Sequence, residues 1–413
     1  MADAELVAPV GVDIGTVRTK VAVGNSMARD VPTPPALWHN DRIDGSALRA
    51  LVTAARSAVA HRSGRSELVV AVPDQWMVGP DAEPLAAVEA SPQAERLVAA
   101  LRTEFDVVQP VSRSACLAAF VEDFADGVGL VCDVGARTVA AAAFVRDGDT
   151  VRVFDVESTV IGDVEPTALM LTVPSSRQVT ALHAERVERH WRATRVLARA
   201  VASPAYRSTP IYLAGAHGGS IDAATVAAAL QPVAAAAADV VARLLDRISV
   251  PRSVELILTG GNALGPVVAA VRSVVADVRQ VVPGAVALGA ARIASGAVRV
   301  IGAYPHAVGV VTHRVTHGLL EQLVLTAPVS ERTAIALECI EAYEVSSVVR
   351  VRPGQQGPWL ESATETPISV APGRYAVFVE TRCSPYGALR LRDNDSGDVM
   401  TVLVDPTRRL QPR

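Results

Sequence analysis

The 413-residue sequence predicts an α/β domain of two lobes followed by an all-β domain, and three features predict it. The first is Gly11–Gly24, GVDIGTVRTKVAVG. It reads as a strand over Val12–Ile14, a tight turn at Gly15–Thr16 and a second strand over Thr19–Val23, with apolar residues alternating on both arms. The second is a recurrence of that pattern. Gly129–Val145, GLVCDVGARTVAAAAFV, again runs strand, Asp133, turn at Gly135, Thr138, strand. The third is a change of texture at Tyr304, after which short β-rich runs alternate with turns to the end of the chain.

The remaining elements fit between these. Asp30–Gly45, with Pro32, Pro34 and Pro35, reads as a loop. Ser46–His61 has helical spacing, Glu67–Val72 is a buried strand running into Pro73, Ser91–Glu104 is a helix and Val107–Val111 a strand. Ser112–Val121 is a short apolar helix that leads to the second hairpin and closes a first lobe of about residues 9–125. The second lobe, about 126–300, contains an Arg-rich amphipathic helix over Leu182–Val201 and one or two helices over Ala223–Ile248. Glu255–Val271 then gives a buried strand, the pair Gly260–Gly261 and a helix capped by Asn262, and Pro283–Ala291 starts a last helix. The two lobes form one domain over residues 1–300, and Val298–Ala303 marks the boundary. Strands are expected at Val308–Val311, Leu319–Leu325, Thr333–Leu337, Ser347–Arg352, Arg374–Glu380, Ala388–Arg392 and Val399–Leu403. Their spacing suggests a β-sandwich over 304–413.

The hairpins carry the chemistry. Gly15 lets the turn backbone approach a phosphate, and successive N–H groups in such a turn form an anion-binding nest. Asp13 leads into the turn, placed to hold a water of a Mg²⁺ ion that bridges phosphates. One such hairpin is more often only a hairpin. The order of two hairpins and a later strand–Gly–Gly–helix is what gives the pattern meaning. Arg186, Arg189, Arg192, Arg195 and Arg199 read first as a solvated cationic face; Arg195 or Arg199 packed on an adenine base is the alternative. His313 and His317 lie in a region read as β turn, where i, i+4 spacing does not pair them, so no metal site is expected there.

Composition sets the limits. Half the residues are apolar, and the net charge of −4 argues against a general nucleic-acid or anionic-membrane role. Cys116, Cys132, Cys339 and Cys383 lie far apart with no C-x-x-C pair, so reduced core thiols and a cytoplasmic location are expected. The start of the chain lacks a signal-peptide pattern. The Ala-rich segment Ala223–Leu245 is broken by Pro232 and Asp239, so no membrane span is expected.

The hairpins and the Gly-Gly turn, in this order, resemble the actin, sugar-kinase and heat-shock ATPase superfamily, with its duplicated ribonuclease-H-like lobes. With PGAVALGAA (283–291), YPHAVGV (304–310), GLLEQLV (318–324) and SPYGALRLRDNDSGDV (384–399), the chain more closely resembles the 70-kDa heat-shock (DnaK-type) chaperones. That resemblance implies ATP or ADP with Mg²⁺. The nucleotide would be held at Asp13, Gly15, Thr16, Val17, Asp133, Gly135, Ala136, Arg137 and Thr138 of the two hairpins, which grip its phosphates, and at Gly260, Gly261 and Asn262, which lie against its adenosine, with its adenine near Arg195, Arg199 and Leu264. Asp13 and Asp133 would hold the metal through water, with Asp133 and Thr138 the vestige of a catalytic set. A peptide segment or partner protein would bind through 304–413.

The departures are in the catalytic set. Lys20 lies inside the hairpin and cannot serve as the family's water-positioning lysine. The family's glutamate falls at Ser112, with Arg113 in place of the following proline, and the adenine-stacking arginine aligns with Leu264. In the second hairpin two of three glycines are Ala136 and Arg137, and a following aspartate is Ala140. Arg137 either pairs with phosphate oxygens or faces outward. No helical lid is expected after the β domain, and the interdomain linker is reduced to Val298, Val300 and Ile301. At most a slow ATPase is expected. Three functions stay open: a lidless chaperone-like protein that binds nucleotide, a pseudo-ATPase scaffold that does not, and a small-molecule kinase or hydrolase on the same fold.

Overall fold

In a computed structural model of the chain, the described residues run from 8 to 404. They leave out 16–17, 25–28, 34–37, 40–41, 44, 60–65, 78–91, 162–194, 201, 213–219, 249–253, 302–306, 329–330, 345–348, 353–358, 362–368 and 381–386. The chain divides into two compact units, Met1–Val300 and Ile301–Arg413.

The first unit contains one strand plan twice. β1 (Ala8–Ile14), β2 (Arg18–Val23) and β3 (Arg29–Pro32) form an antiparallel meander. β4 (Ser66–Val72) and β5 (Val107–Ser112) then add in parallel on the other side of β1. The sheet order is β3-β2-β1-β4-β5. β6 (Gly127–Val134), β7 (Thr138–Asp147) and β8 (Thr150–Val160) repeat the meander, and β9 (Leu256–Thr259) and β10 (Val278–Gln280) repeat the parallel additions beside β6. The two-residue strand β11 (Arg299–Val300) pairs with the outer edge of β8. This duplicated order is that of two ribonuclease-H-like lobes, and the unit has the actin-like two-lobed fold.

Side-chain size determines how the layers stack. Val10, Val12 and Ile14 on β1 face α1 (Gly45–Val59) and α2 (Pro92–Leu101), meeting Leu48, Leu51, Leu97 and Leu101 in one buried cluster. On the other face of the sheet, Val69 and Ala71 join α3 (Arg113–Phe120) and α7 (Ala285–Ala294) in a cluster that also includes Val131, Ala142 and Phe144 of the second sheet. α3 and α7 therefore lie between the sheets. The far side of the second sheet is covered by α5 (Gln231–Arg247) and α6 (Gly265–Arg272) through Val233, Val240, Leu244 and Val267. α4 (Ala223–Ala229) precedes α5, giving two helices where one or two were expected. Among the described residues no single helix is long and apolar enough to cross a membrane. The bent pair α4–α5 passes by length and composition, but its apolar residues are spent in these cores.

Several sequence expectations shift. The segment read as a loop contains strand β3 and a small ribbon, Trp38–His39 with Arg42–Ile43. Pro32 is tolerated there because it ends an edge strand. β8 was not expected; its polar run Asp155–Thr159 hides the strand pattern, while the hydrogen-bonded ladder to β7 forms it. Of the helix read over 182–201, only 195–200 falls among the described residues, and it is helical there.

The second unit is all-β. One antiparallel sheet has the order β13 (Leu319–Thr326), β12 (Ala307–Thr316), β15 (Val349–Arg352), β16 (Leu360–Glu361). The other has β14 (Ile335–Cys339), β17 (Gly373–Glu380), β18 (Gly387–Asp393), β19 (Val399–Val404). Val308, Val310, Val349 and Val351 of the first share one buried cluster with Tyr375, Val377, Leu389, Leu391 and Val402 of the second. The alternating burial of β17 is the period-2 pattern that the sequence displays.

Packing at α7 is tight. A Cβ on Gly289 would collide with the carbonyl of Cys116 on α3, and one on Gly11 would collide with the backbone of Ala287 and Ala291 on α7. Gly289→Ala is expected to lower stability by about 2 kcal/mol despite the roughly 1 kcal/mol that alanine adds to a helix interior. A lower urea midpoint at unchanged m-value checks this.

Candidate functional site

The two hairpins meet at their aspartates. Asp13 lies directly opposite Lys20 across β1 and β2, and Lys20 Nζ donates to Asp13 Oδ2 at 3.2 Å. Cross-strand neighbours on one face sit close enough to pair, which is why a residue seven positions away reaches the carboxylate. The turn between them is closed by Gly15 N–H donating to the Arg18 carbonyl at 3.1 Å. Thr33, just past β3, donates from Oγ1 to the Gly15 carbonyl at 2.8 Å and lies 3.0 Å from Thr19 Oγ1, so two buried hydroxyls fix the turn. Thr16 and Val17 lie outside the described residues.

The second hairpin is built alike. Gly135 N–H donates to the Thr138 carbonyl at 2.9 Å, and Asp133 ends β6 as Asp13 ends β1. Ala136 and Thr138 are half-buried, and Arg137 is exposed at the turn.

Between the two aspartates stands Arg113. One guanidinium nitrogen, Nη2, lies 2.9 Å from Asp13 Oδ1 and 3.0 Å from Asp133 Oδ2. Asp13 is 1% exposed, and each of its oxygens lies against a cation of the chain itself, Oδ2 accepting from Lys20 and Oδ1 paired with Arg113 by charge without an aligned hydrogen bond. Two carboxylates face two fixed positive charges, and the cluster is neutral by itself. Burial pushes the Asp13 carboxyl up, but the Arg113 and Lys20 charges outweigh it and hold the pKa below the ordinary range. For Arg113, burial favours loss of the proton, while Asp13, Asp133 and Asp74 together bind it more firmly.

The start of α3 holds Arg113 in place. Ser112 caps the helix, accepting from Ala115 N–H at 3.1 Å. Asp74, buried after β4, accepts from Ser114 N–H at 3.3 Å and from Ser114 Oγ at 3.0 Å. Burial raises the Asp74 pKa, and the Ser114 bonds and Arg113 offset only part of that.

The Gly-Gly turn is stitched to the second hairpin. Gly260 takes φ +110°, and a Cβ there would collide with Val134, so only glycine fits. Asn262 does not cap the helix as expected; α6 begins at Gly265 after Leu264. Instead Asn262 N–H donates to the Val134 carbonyl at 3.1 Å, and its side-chain amide donates to the Gly135 carbonyl at 2.9 Å. Leu264 belongs to an apolar core. It is fully buried among Leu197, Ala200, Val226 and Leu230, and the glycine after it lies against the backbone of Ala198. Arg195 is exposed, and the Arg199 guanidinium stands 5.9 Å from the Tyr206 ring centroid.

The implied Mg²⁺ does not fit these residues. An octahedral ion needs its oxygens and waters at about 2 Å, whereas a guanidinium nitrogen already stands within 3.0 Å of both carboxylates. The carboxylates that the sequence pattern assigns to a hydrated metal are held by Arg113. Among the described residues no three His, Cys, Asp or Glu side chains come together as a metal-ligand set. Exposed His313 lies on β12, and His317 occupies the following turn at φ +52°.

No family model matches the chain, and no curated protein does. Among solved structures, the ethanolamine utilization protein EutJ from Carboxydothermus hydrogenoformans is similar, at 15% identity and a TM-score of 0.42, over 70% of this chain and 91% of that one. That likeness is too loose to identify this chain, and the fold assignment rests on its own duplicated strand order.

Sequence reading singled out Arg113 only as a lost proline. The signal that it does more was a lone charge heading the apolar helix RSACLAAF. Lys20, Thr33 and Asp74 gave less warning, because their roles depend on register and on contacts remote in sequence. Asp13→Asn is expected to cost about 3–5 kcal/mol at neutral pH, since it leaves buried cations undercompensated. The folded pKa of Asp13 is depressed, so its contribution is present above the unfolded value of about 4 and is lost as pH falls through the folded value. The variant should therefore lose stability less steeply below about pH 4, as read by urea unfolding across pH.

Proposed function

We propose that this chain is a pseudo-ATPase scaffold: an actin-like body that does not take Mg–nucleotide, joined to a C-terminal β-sandwich that meets a peptide segment or partner protein. Arg113, bridging Asp13 and Asp133, carries this reading. Phosphoryl transfer depends on a metal that neutralises developing charge and on a positioned water. Here the metal's carboxylates are already neutralised, and the family's lysine and glutamate have no counterpart among Lys20 and Ser112. The burial of Leu264 in an apolar cluster supports the same reading.

The partner face lies on the second unit. Among the described residues β13 is an edge strand, paired on one side only, and its consecutive Leu319 and Leu320 are 70% and 69% exposed. Neighbours on a strand point to opposite faces, so at this end of the strand each face presents an exposed leucine, while Leu323–Leu325 are half-buried. A bare edge with apolar side chains suits pairing with an extended segment. The three described cysteines, Cys116, Cys132 and Cys339, are free and buried, which suits a reducing cytoplasmic setting; Cys383 lies outside the described residues.

A second reading, a nucleotide-loaded chaperone-like switch with weak or no hydrolysis, draws on the two glycine turns, which keep the same closing bond at Gly15 and Gly135. Calorimetric titration of Mg–ATP into the full chain separates the two. No heat is expected, and no nucleotide in the purified protein. Micromolar binding that disappears in an Asp13→Ala/Asp133→Ala variant would replace the scaffold reading with the second.

A further inference from the structure

We propose that Arg113 is a resident cation in the seat of a divalent metal, and that it clamps the two lobes together permanently. The inference deepens the scaffold reading of this site and rests on it. Three observations support it.

The first is connectivity. Asp13 belongs to the first sheet and Asp133 to the second, and a single nitrogen of Arg113 reaches both. A bridging charge of that kind does what a metal between two carboxylates does: it neutralises both and fixes their separation. The second is the cost of the placement. Arg113 is the first residue of α3, where the positive end of the helix dipole repels a cation. Helix formation alone would put an acidic residue there, so the carboxylates in front of the helix account for the arginine. The third is saturation. Lys20 stands at the other oxygen of Asp13, so an incoming dication would meet two fixed positive charges beside that carboxylate.

The corollary is that removing the resident cation unmasks a divalent-cation site. Mn²⁺ alone, followed by electron paramagnetic resonance, tests this on the full chain without nucleotide. The wild type is expected to show no Asp13-dependent Mn²⁺ binding at concentrations on the order of 1 mM, the range of weak oxygen-ligand sites. Arg113→Gln with Lys20→Gln, which keeps side-chain bulk but removes both charges, is expected to bind Mn²⁺ at least tenfold more tightly and to gain thermal stability when Mn²⁺ is added. Adding Asp133→Asn should abolish both effects, and Arg113→Lys, which keeps the charge, should behave as wild type.

Asp13-dependent Mn²⁺ binding by the wild type would overturn the proposal. So would a folded Gln variant that binds no better than wild type. If the Gln variant is unfolded in buffer, refolding on addition of Mn²⁺ supports the proposal, and failure to refold counts against it. The two readings fail separately. Mg–ATP binding by a wild type that ignores Mn²⁺ removes the scaffold function and leaves the resident cation. Mn²⁺ binding at Asp13 without ATP binding does the reverse.

Discussion

Everything in the first unit depends on how closely α7 approaches its neighbours. The helix lies with Gly289 against the α3 backbone and Ala287 and Ala291 against Gly11 of β1, with no side chain between. That contact brings the two sheets near enough for their hairpin aspartates to share one nitrogen. Two carboxylates at that separation, one of them wholly buried, repel each other strongly in a medium of low dielectric constant. A positive charge between them is a requirement of the packing before it is a matter of function. Here that charge is supplied by the chain itself, at position 113.

The fold was largely legible because its signals are local. The paired Asp–Gly hairpins, the run VELILTGG and the alternation of RYAVFVE each carry the period of the element they form. The misses have physical causes as well. β8 is polar on its exposed stretch and is held by its ladder with β7, so no apolar alternation announced it. Asn262 carries a good capping side chain, but the adjacent hairpin offers two carbonyls, and the amide goes there. In each case a tertiary partner competed with a local preference and won.

The site was legible in its residues and not in its wiring. Asp13, Gly15, Asp133, Gly135, Gly260 and Gly261 lie at the strand ends and turns that the sequence pattern predicts. What sequence cannot display is that position 113, reached through a different strand and helix, projects between two of them. A substitution read as erosion is, in three dimensions, a replacement. The same reading fails at Leu264 for a simpler reason: an apolar residue where the family has an arginine joins the nearest apolar cluster, and Leu197 and Leu230 enclose it.

A diffusible cation occupies its site in proportion to its concentration, and its contribution to stability rises and falls with supply. A cation attached by its own backbone is subject to no such mass action. Its local concentration is fixed by the few bonds that tether it, and Ser112 and Asp74 hold the turn from which it projects. Chelators cannot strip it, and neither the free magnesium level nor the adenylate ratio of the surroundings can alter its occupancy. On the scaffold reading proposed above, a body held in this way does not report the energy state of a cell, and its geometry serves as a fixed point of attachment.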